Sequence, residues 1–473
     1  MSGWCKGLLS MVRRRSTFFS PTTNATLHIL ADNATTTSSC ETLSRYYVAR
    51  CGEAFKDGRY LAIQQVGTGR YSHVWLAQDL QQDSVVALKI LTTDCYGAGH
   101  DTFEIEVLKT IQWQQQQRKV QDISHVVGLE DTFQLTGPNR VHQALVMPKI
   151  LGCSLHGQAR RFPDRRIPVQ IMKEITRQLL VRLAFLHNDC RVIHTDLHSK
   201  NICFDLRPDE VKRMAAGESA DEVTPTITEE QPGNIRIIDF GVASYVDKHM
   251  TEIIQPEHLR APEAFLGAPW GPSVDIWSLG CLVIEFVKGH VAFPGSASKK
   301  GTWTSEDDHL AQHMEVLGPM PAELLKRGTK TSQYFDEEGS LLRIPDLKLT
   351  SLERCIDGTR GILRRPHDMA AEEVPVFVDF LRGALTLDPD HRRSAKELLQ
   401  HEWLRDVMST TAADETGSDL AIRNHYDETK LEERGVESAV VTSALSEHGS
   451  KTHWTVDFFT EGGSLLTTHH VPR

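Results

Sequence analysis

The chain has 473 residues, which is enough for two or three globular units of ordinary size. Its net charge of -11 argues against a general nucleic-acid binder and leaves room for basic partners. Hydrophobic residues make up 40% of the chain, and no apolar run approaches the length of a membrane span. The scattered cysteines include no Cys-x-x-Cys pair, which indicates reduced, intracellular thiols rather than a disulfide framework or a zinc site.

Residues 1–45 are rich in Ser, Thr and Asn and lack a sustained apolar period, which predicts a disordered basic segment. Arg13, Arg14 and Arg15, with no acidic residue before Asp32, also resemble a mitochondrial transit peptide. We favour the disordered segment. The sequence therefore predicts a cytoplasmic or nuclear protein, with mitochondrial import as the alternative.

Residues 46–150 have the pattern of several strands and one helix. The strands are predicted at residues 60–63, 72–77, 85–90 and 142–147, and the helix at residues 103–113. Residues 151–405 are mainly helical, with segments at 169–187, 274–288, 308–317, 373–386 and 394–404. Strands followed by helices predict an α+β, two-lobed fold with a ligand where the lobes meet.

Two stretches interrupt or follow this pattern. Residues 207–233 are rich in Glu, Asp, Thr and Pro, which predicts a flexible insertion in the helical lobe. The apolar period fades in residues 406–473, which predicts a mostly disordered tail in which Trp454 to Phe459 is a candidate docking segment.

Three short motifs in the helical lobe carry the strongest chemical signal. Asp196 is followed five residues later by Asn201, then come Asp239-Phe240-Gly241 and Ala261-Pro262-Glu263. In protein kinases the first Asp accepts the proton of an attacking hydroxyl, and Asn and the second Asp hold Mg²⁺ on the ATP phosphates. Taken alone, each motif is also consistent with an ordinary turn. Their order along the chain resembles that of the protein kinases.

A glycine-rich turn and a lysine strand precede these motifs. Gly67-Thr68-Gly69 leads into Val74, and Val86-Ala87-Leu88-Lys89 follows on the next predicted strand. The turn alone is equally consistent with a hairpin, but in this order it resembles the loop that covers ATP phosphates, with Lys89 on the α- and β-phosphates. The ATP contacts predicted from the resemblance are Gly67, Thr68, Gly69, Val74, Ala87, Lys89 and Met147.

Lys89 needs an acidic partner on the following helix, where Glu104 and Glu106 point to different faces. Kinases commonly have Glu-Ile-x followed by two apolar residues here, and Glu104-Ile105-Glu106-Val107-Leu108 fits from Glu104. We therefore predict the pair Lys89–Glu104. By the same resemblance, Glu263 is expected to pair with a buried Arg392.

The catalytic loop departs from the usual kinase pattern at two residues. Thr195 follows His194 where many kinases have an Arg that pairs with a phosphorylated loop, so activity without such phosphorylation is expected. His198 occupies the position where Ser/Thr kinases place Lys on the γ-phosphate, and imidazole is charged only part of the time at neutral pH. Asp275 resembles the helix residue that bonds to the backbone of this loop.

Longer stretches resemble the SR-protein kinases in their compact fungal form. They are Gly69 to Ala77, His194-Thr195-Asp196, Leu259 to Glu263 and Asp307 to Leu310, within about residues 45–405. This resemblance implies a monomeric kinase that uses ATP and Mg²⁺ and acts on basic, Arg/Ser-rich proteins, without direct binding to nucleic acid or membrane. Asp308 and Glu315 match two acids of that family's docking groove, and a third falls near His290.

Two other classes of function are open from the residues. A small-molecule phosphotransferase also has an Asp-Leu-His run followed by Asn, but Ala261-Pro262-Glu263 and Arg392 resemble parts of a peptide-binding lobe. A catalytically impaired scaffold is favoured by His198 and opposed by Lys89, Asp196, Asn201 and Asp239 together. We therefore predict an active serine/threonine protein kinase.

Overall fold

The computed structural model describes residues 45–95, 102–117, 126–137, 140–147, 151–359 and 361–405, together with three strands between 438 and 472. The chain forms two compact units that meet in sequence at Leu404 and Arg405. The predicted disordered segment lies almost wholly outside the described residues. Among the described residues, no helix is both long and apolar enough to cross a membrane.

The first lobe is an antiparallel sheet of six strands in the order β1-β2-β3-β4-β6-β5. One helix, α1, accompanies the sheet and covers Glu104–Gln117. The strands are β1 (Ala54–Phe55), β2 (Tyr60–Thr68), β3 (Ser72–Asp79), β4 (Ser84–Leu91), β5 (Asp131–Thr136) and β6 (Val141–Met147).

The second lobe is mainly helical, and its core contains the apolar face predicted for residues 169–187. Its helices are α2 (Leu155–Ala159), α3 (Val169–Asn188), α4 (Pro208–Ala215), α5 (Ala220–Val223), α6 (Pro262–Leu266), α7 (Ser273–Lys288), α8 (Ser305–Leu317), α9 (Ala322–Arg327), α10 (Thr331–Tyr334), α11 (Leu352–Ile356), α12 (Glu373–Ala384) and α13 (Ala395–Leu399). The predicted α+β, two-lobed architecture is confirmed.

Short strands position the two loops that carry the acidic motifs. They are β7 (Leu151–Ser154), β8 (Val192–Ile193), β9 (Ile202–Asp205), β10 (Ile235–Ile237) and β11 (Ser244–Tyr245). Strands β9 and β10 pair with each other, and so do β8 and β11. The loop 194–201 therefore lies beside the loop 238–243, because the strands that flank one loop pair with the strands that flank the other.

The insertion at 207–233 is not the flexible segment that its composition predicts. It contains α4 and α5, and Met214, Val223 and Ile227 are each at most 4% exposed. Gln64 Nε2 of the sheet lobe donates to Met214 O at 3.0 Å. Composition misled because the apolar residues are few, yet Met214 on α4, Val223 on α5 and Ile227 beyond them are all buried by packing.

The structure describes three strands within the tail, whereas its predicted mostly disordered character stays a prediction. Strands β12 (Ser438–Leu445), β13 (Lys451–Phe459) and β14 (Leu465–Pro472) form an antiparallel sheet in that order. The residues of β13 alternate between polar and apolar from His453 to Phe458, which is the period of a strand rather than of a helix.

A buried histidine on α8 predicts acid sensitivity of the fold. His309 is 1% exposed, and neither ring nitrogen has a hydrogen-bond partner among the described residues. Burial lowers the pKa of His309 from 6.5 to about 4. Between these values the unfolded chain binds a proton that the folded protein does not bind. Stability should therefore fall as the pH falls through this window, by about 2 kcal/mol at pH 5 from this residue.

Urea unfolding of the wild type and of His309→Leu at pH 7.5 and pH 5 checks this expectation. The variant should lose less stability between the two pH values, whereas His367→Leu, which removes an exposed imidazole, should behave as wild type. An equal pH effect in wild type and His309→Leu would contradict the prediction.

Candidate active site

Lys89 connects the two lobes at the predicted site. Its Nζ lies 2.5 Å from Glu104 Oε1 on α1 and 2.9 Å from Asp239 Oδ1 in the second lobe. Glu104 is 2% exposed, whereas the exposed neighbour Glu106 is not in the contact. The predicted choice of Glu104 over Glu106 is therefore confirmed as a contact. The contact with Asp239 joins residues 150 positions apart, and the local sequence did not predict it.

Lys89, Glu104 and Asp239 form a charged triad in which the lysine stabilises the ionised form of both carboxylates. Lys89 holds the pKa of Asp239 at about 2, against the opposing effect of burial. Burial alone would lower the pKa of Lys89, but the carboxylates of Asp239 and Glu104 outweigh it and raise that pKa. Burial raises the pKa of Glu104 although Lys89 opposes this. A cation is thus fixed between the lobes, next to a half-exposed carboxylate.

Asp275 fixes the start of the catalytic loop, as predicted. Its carboxylate is fully buried and accepts hydrogen bonds from the backbone N–H groups of His194 (2.8 Å) and Thr195 (2.9 Å). His187 Nε2 lies 2.8 Å from the same carboxylate. Thr195 has a φ of 64°, an uncommon conformation for a β-branched residue. These contacts stabilise the strained backbone immediately before Asp196.

Asp196 and Asn201 lie together, as their spacing predicts. Asn201 Nδ2 donates to Asp196 O at 3.0 Å and lies 3.4 Å from Asp196 Oδ2. The Asn201 oxygen therefore points away from this contact. On the other side, Ile238 N donates to Asn201 O at 2.9 Å, which connects the loop 194–201 to the residue before Asp239. The arrangement places the Asp196 carboxylate near the side-chain oxygen atoms of Asn201 and Asp239, which suit a hard cation.

The predicted ATP contacts lie on four neighbouring strands. Gly67 is opposite Val74, Val74 is opposite Lys89, and Ala87 is opposite Met147 in the sheet register. Thr68 and Gly69 continue β2 into the turn, where Gly69 N donates to Ser72 O at 2.8 Å. The structure thus brings these residues onto one sheet. Their contacts with a nucleotide stay predictions.

The insertion reaches the same part of the sheet. Met214 and Val223 form one apolar cluster with Ile63, Leu76 and Ala87, and Val74 and Met147 pack at its edge. The sequence analysis missed this contribution, although Val211, Met214 and Ala215 have helical spacing. The insertion therefore supports the sheet face that contains the predicted nucleotide contacts.

Thr195 contacts the following segment directly, at the position where many kinases use an Arg and a phosphate. Its Oγ1 donates to Val242 O at 2.8 Å. Further on, Tyr245 OH lies 3.1 Å from Thr110 Oγ1 on α1. Ser244 is fully buried, whereas Thr251 is exposed. Neutral contacts thus hold the segment against both lobes.

We expect the protein to keep its activity after phosphatase treatment, because none of these contacts needs a phosphate. Thr195→Val removes the hydrogen bond to Val242 O and should lower kcat about tenfold, since a buried acceptor loses its partner. Thr251→Val is the matched control and should act as wild type. Loss of activity after phosphatase treatment or in Thr251→Val would contradict the prediction.

His198 lies beside the carboxylate of Asp196. Its Nε2 is 3.6 Å from Asp196 Oδ2, and its Nδ1 accepts a hydrogen bond from Lys200 N at 3.2 Å. A lysine here would carry a full positive charge at neutral pH, whereas an imidazole does so only in part. We expect His198→Lys to raise kcat about threefold to tenfold by stabilising charge on the transferred phosphoryl group. His198→Gln serves as the neutral control, and a Lys variant no faster than wild type would refute the expectation.

The two predicted docking acids are half-buried on α8. Asp308 Oδ2 accepts hydrogen bonds from Ser296 N and Gln312 Nε2, both at 2.8 Å. Glu315 Oε1 accepts a bond from Lys348 N at 2.7 Å. At the third position, burial and then the neighbouring Lys288 lower the pKa of His290, which favours the neutral imidazole. The acidic charge of this surface is therefore limited.

Comparison with known proteins agrees with this geometry. Residues 60–404 match the family model described as "Protein kinase domain". The chain is 31% identical over 395 residues to "Serine/threonine-protein kinase SRPK" of Physarum polycephalum, covering 76% of this chain and 89% of that protein. This chain belongs to the SRPK family of protein kinases. It is also 26% identical to "Protein kinase dsk1" of Schizosaccharomyces pombe, over 78% of this chain and 85% of that one. With "SRSF protein kinase 3" of Mus musculus the identity is 24%, over 76% and 88%.

Family membership settles the reaction class. The protein is a serine/threonine protein kinase, so ATP is its phosphoryl donor and a divalent cation its cofactor. The sequence-based prediction of the family and the reaction is confirmed. The individual catalytic roles of Lys89, Glu104, Asp196, His198 and Asn201 stay predictions.

Proposed function

We propose that this kinase transfers the γ-phosphate of Mg·ATP to serine hydroxyls in Arg/Ser-rich proteins. The observation that carries the proposal of an active enzyme is the contact of Lys89 with both Glu104 and Asp239. This contact forms only when the two lobes are aligned as catalysis requires. The name of the mouse relative, SRSF protein kinase 3, supports the substrate class.

The residues have distinct roles in this proposal. Asp239 and Asn201 offer oxygen atoms, which are the ligands that Mg²⁺ prefers. The side chain of Asp239 is half exposed, so that its carboxylate is accessible. Bound Mg²⁺ would neutralise phosphate charge. Lys89 would hold the α- and β-phosphates, and Asp196 would orient the substrate hydroxyl and accept its proton. Catalysis then depends on positioning and on charge stabilisation.

Asp308 and Glu315 would bind the basic part of the substrate. They are seven residues apart on α8, hence on one face, and each has a second carboxylate oxygen available for arginine. We further propose that the protein acts as a monomer in the cytoplasm or the nucleus.

The test is phosphorylation of an Arg-Ser repeat peptide by purified protein with Mg·ATP. Wild type should form phosphoserine, and Asp196→Asn, which keeps the size of the side chain but removes the base, should not. Both proteins should bind ATP with similar affinity. Nucleotide binding without transfer to this peptide or to a general basic protein would favour the scaffold function instead.

A further inference from the structure

The catalytic loop carries an exposed cation, Lys200, between its two functional residues. Lys200 is four residues after Asp196 and directly precedes Asn201. Its backbone N–H donates to His198 Nδ1 at 3.2 Å, and Asn201 N donates to His198 O at 2.9 Å. The tight turn around His198 therefore keeps Lys200 close to the catalytic base.

Two arginines lie on the neighbouring element. His156 N, in the first turn of α2, donates to Ser199 O at 3.2 Å, which joins α2 to the residue before Lys200. Arg160 follows α2, and its N–H donates to His156 O at 3.3 Å, while Arg165 is exposed in the next turn. Burial, and then the charges of Lys200, Arg165 and Arg160, lower the pKa of His156, which agrees with their proximity.

These three cations, Arg160, Arg165 and Lys200, form what we call the basic lip. None of them has a carboxylate within 4 Å in the part of the chain that the structure describes. Acidic groups act on this surface at longer range, since the charge of Asp221 affects the pKa of His156 and Arg165 affects the pKa of Glu285. The lip thus presents uncompensated positive charge beside the catalytic loop.

We propose that the basic lip binds an anionic side chain of the protein substrate close to the phosphorylated hydroxyl. Aspartate, glutamate and phosphoserine share this chemistry, and exposed lysine and arginine bind all three. An arginine at the same place would face like charge, which is unfavourable. The inference rests on the proposed function. By this inference the substrate is basic where it contacts Asp308 and Glu315, and it carries an anionic side chain where it contacts the basic lip.

Peptides with a single serine acceptor test the inference. Each position around the serine, within an Arg-containing peptide whose other serines are alanine, is replaced in turn by alanine, arginine, aspartate or phosphoserine. We expect at least one position where phosphoserine raises kcat/KM about tenfold over alanine, with aspartate between them and arginine below. If aspartate raises kcat/KM as much as phosphoserine does, the ligand of the lip is an acidic residue. If only phosphoserine raises kcat/KM, the ligand is a serine that has already been phosphorylated.

Two charge reversals on different elements assign the preference to the lip. Lys200→Glu and Arg165→Glu should each bring the ratio of kcat/KM for anionic over alanine peptide to about one or below, and should favour the arginine peptide. Lys396→Glu makes the same charge change on an exposed position of α13 and should keep the wild-type ratio. The use of ratios separates specificity from general loss of activity.

The outcomes separate the inference from the proposed function. A wild-type ratio near one at every position, or a preference that survives both Lys200→Glu and Arg165→Glu, would overturn the inference while the kinase function stands. Absence of phosphorylation of every peptide, together with ATP binding, would overturn the proposed function itself.

Discussion

Replacement of Lys89 by methionine is expected to lower kcat/KM about a hundredfold to a thousandfold, because a preorganised cation next to the phosphates is lost. The same change should reduce the free energy of unfolding by about 3–5 kcal/mol, since Glu104 is left buried without its cationic partner. Burial raises the pKa of Glu104, so proton uptake should make this penalty smaller at low pH.

The double variant Lys89→Met/Glu104→Leu separates these two effects. It removes the buried charge entirely, so urea unfolding should show stability close to wild type while phosphoryl transfer stays low. Glu106→Gln, on the exposed face of α1, is the matched control and should change neither quantity. An active double variant, or a Glu106→Gln variant as impaired as Lys89→Met, would refute the role given to this pair.

The chemistry of the site was predictable because it depends on short motifs in a fixed order. The spacing of Asp196 and Asn201 within one loop sets their proximity, and the structure has them 3.0–3.4 Å apart. The strand ahead of Asp239 also has a local signal, since Ile235 and Ile237 alternate with Arg236. In contrast, the contact of Lys89 with Asp239 joins two lobes, and only the tertiary fold produces it.

The insertion shows where composition is a poor guide. Residues 207–233 are polar overall, yet Ser219 and Glu222 form a capping box at α5, and Pro208 occupies the first turn of α4. These local signals, rather than average polarity, indicated order. In the same way the basic lip has no signature in sequence, because Arg160 and Arg165 approach Lys200 only through the contact of α2 with the catalytic loop.

Replacement of Arg392 by methionine should be the largest purely structural perturbation in the second lobe. Arg392 and Glu263 form the predicted pair, with distances of 2.7 and 3.0 Å, and both side chains are fully buried. The guanidinium also donates to Ser273 O and Thr386 O, both at 2.9 Å. Its loss leaves a buried carboxylate and two backbone acceptors unsatisfied, and should cost about 3–5 kcal/mol.

Urea unfolding of Arg392→Met beside Arg393→Met measures this cost with an adjacent control. Arg393 is 40% exposed and pairs with Asp379 at 3.2 Å, so its loss should cost less than about 1 kcal/mol. The double variant Arg392→Met/Glu263→Leu should recover part of the stability because no buried charge remains unpaired. Since Glu263 is only two residues beyond the segment Gly241 to Ala261, Arg392→Met should also lower phosphorylation of protein substrates by displacing that segment. A cost for Arg392→Met no larger than that for Arg393→Met would contradict the structural role of the pair.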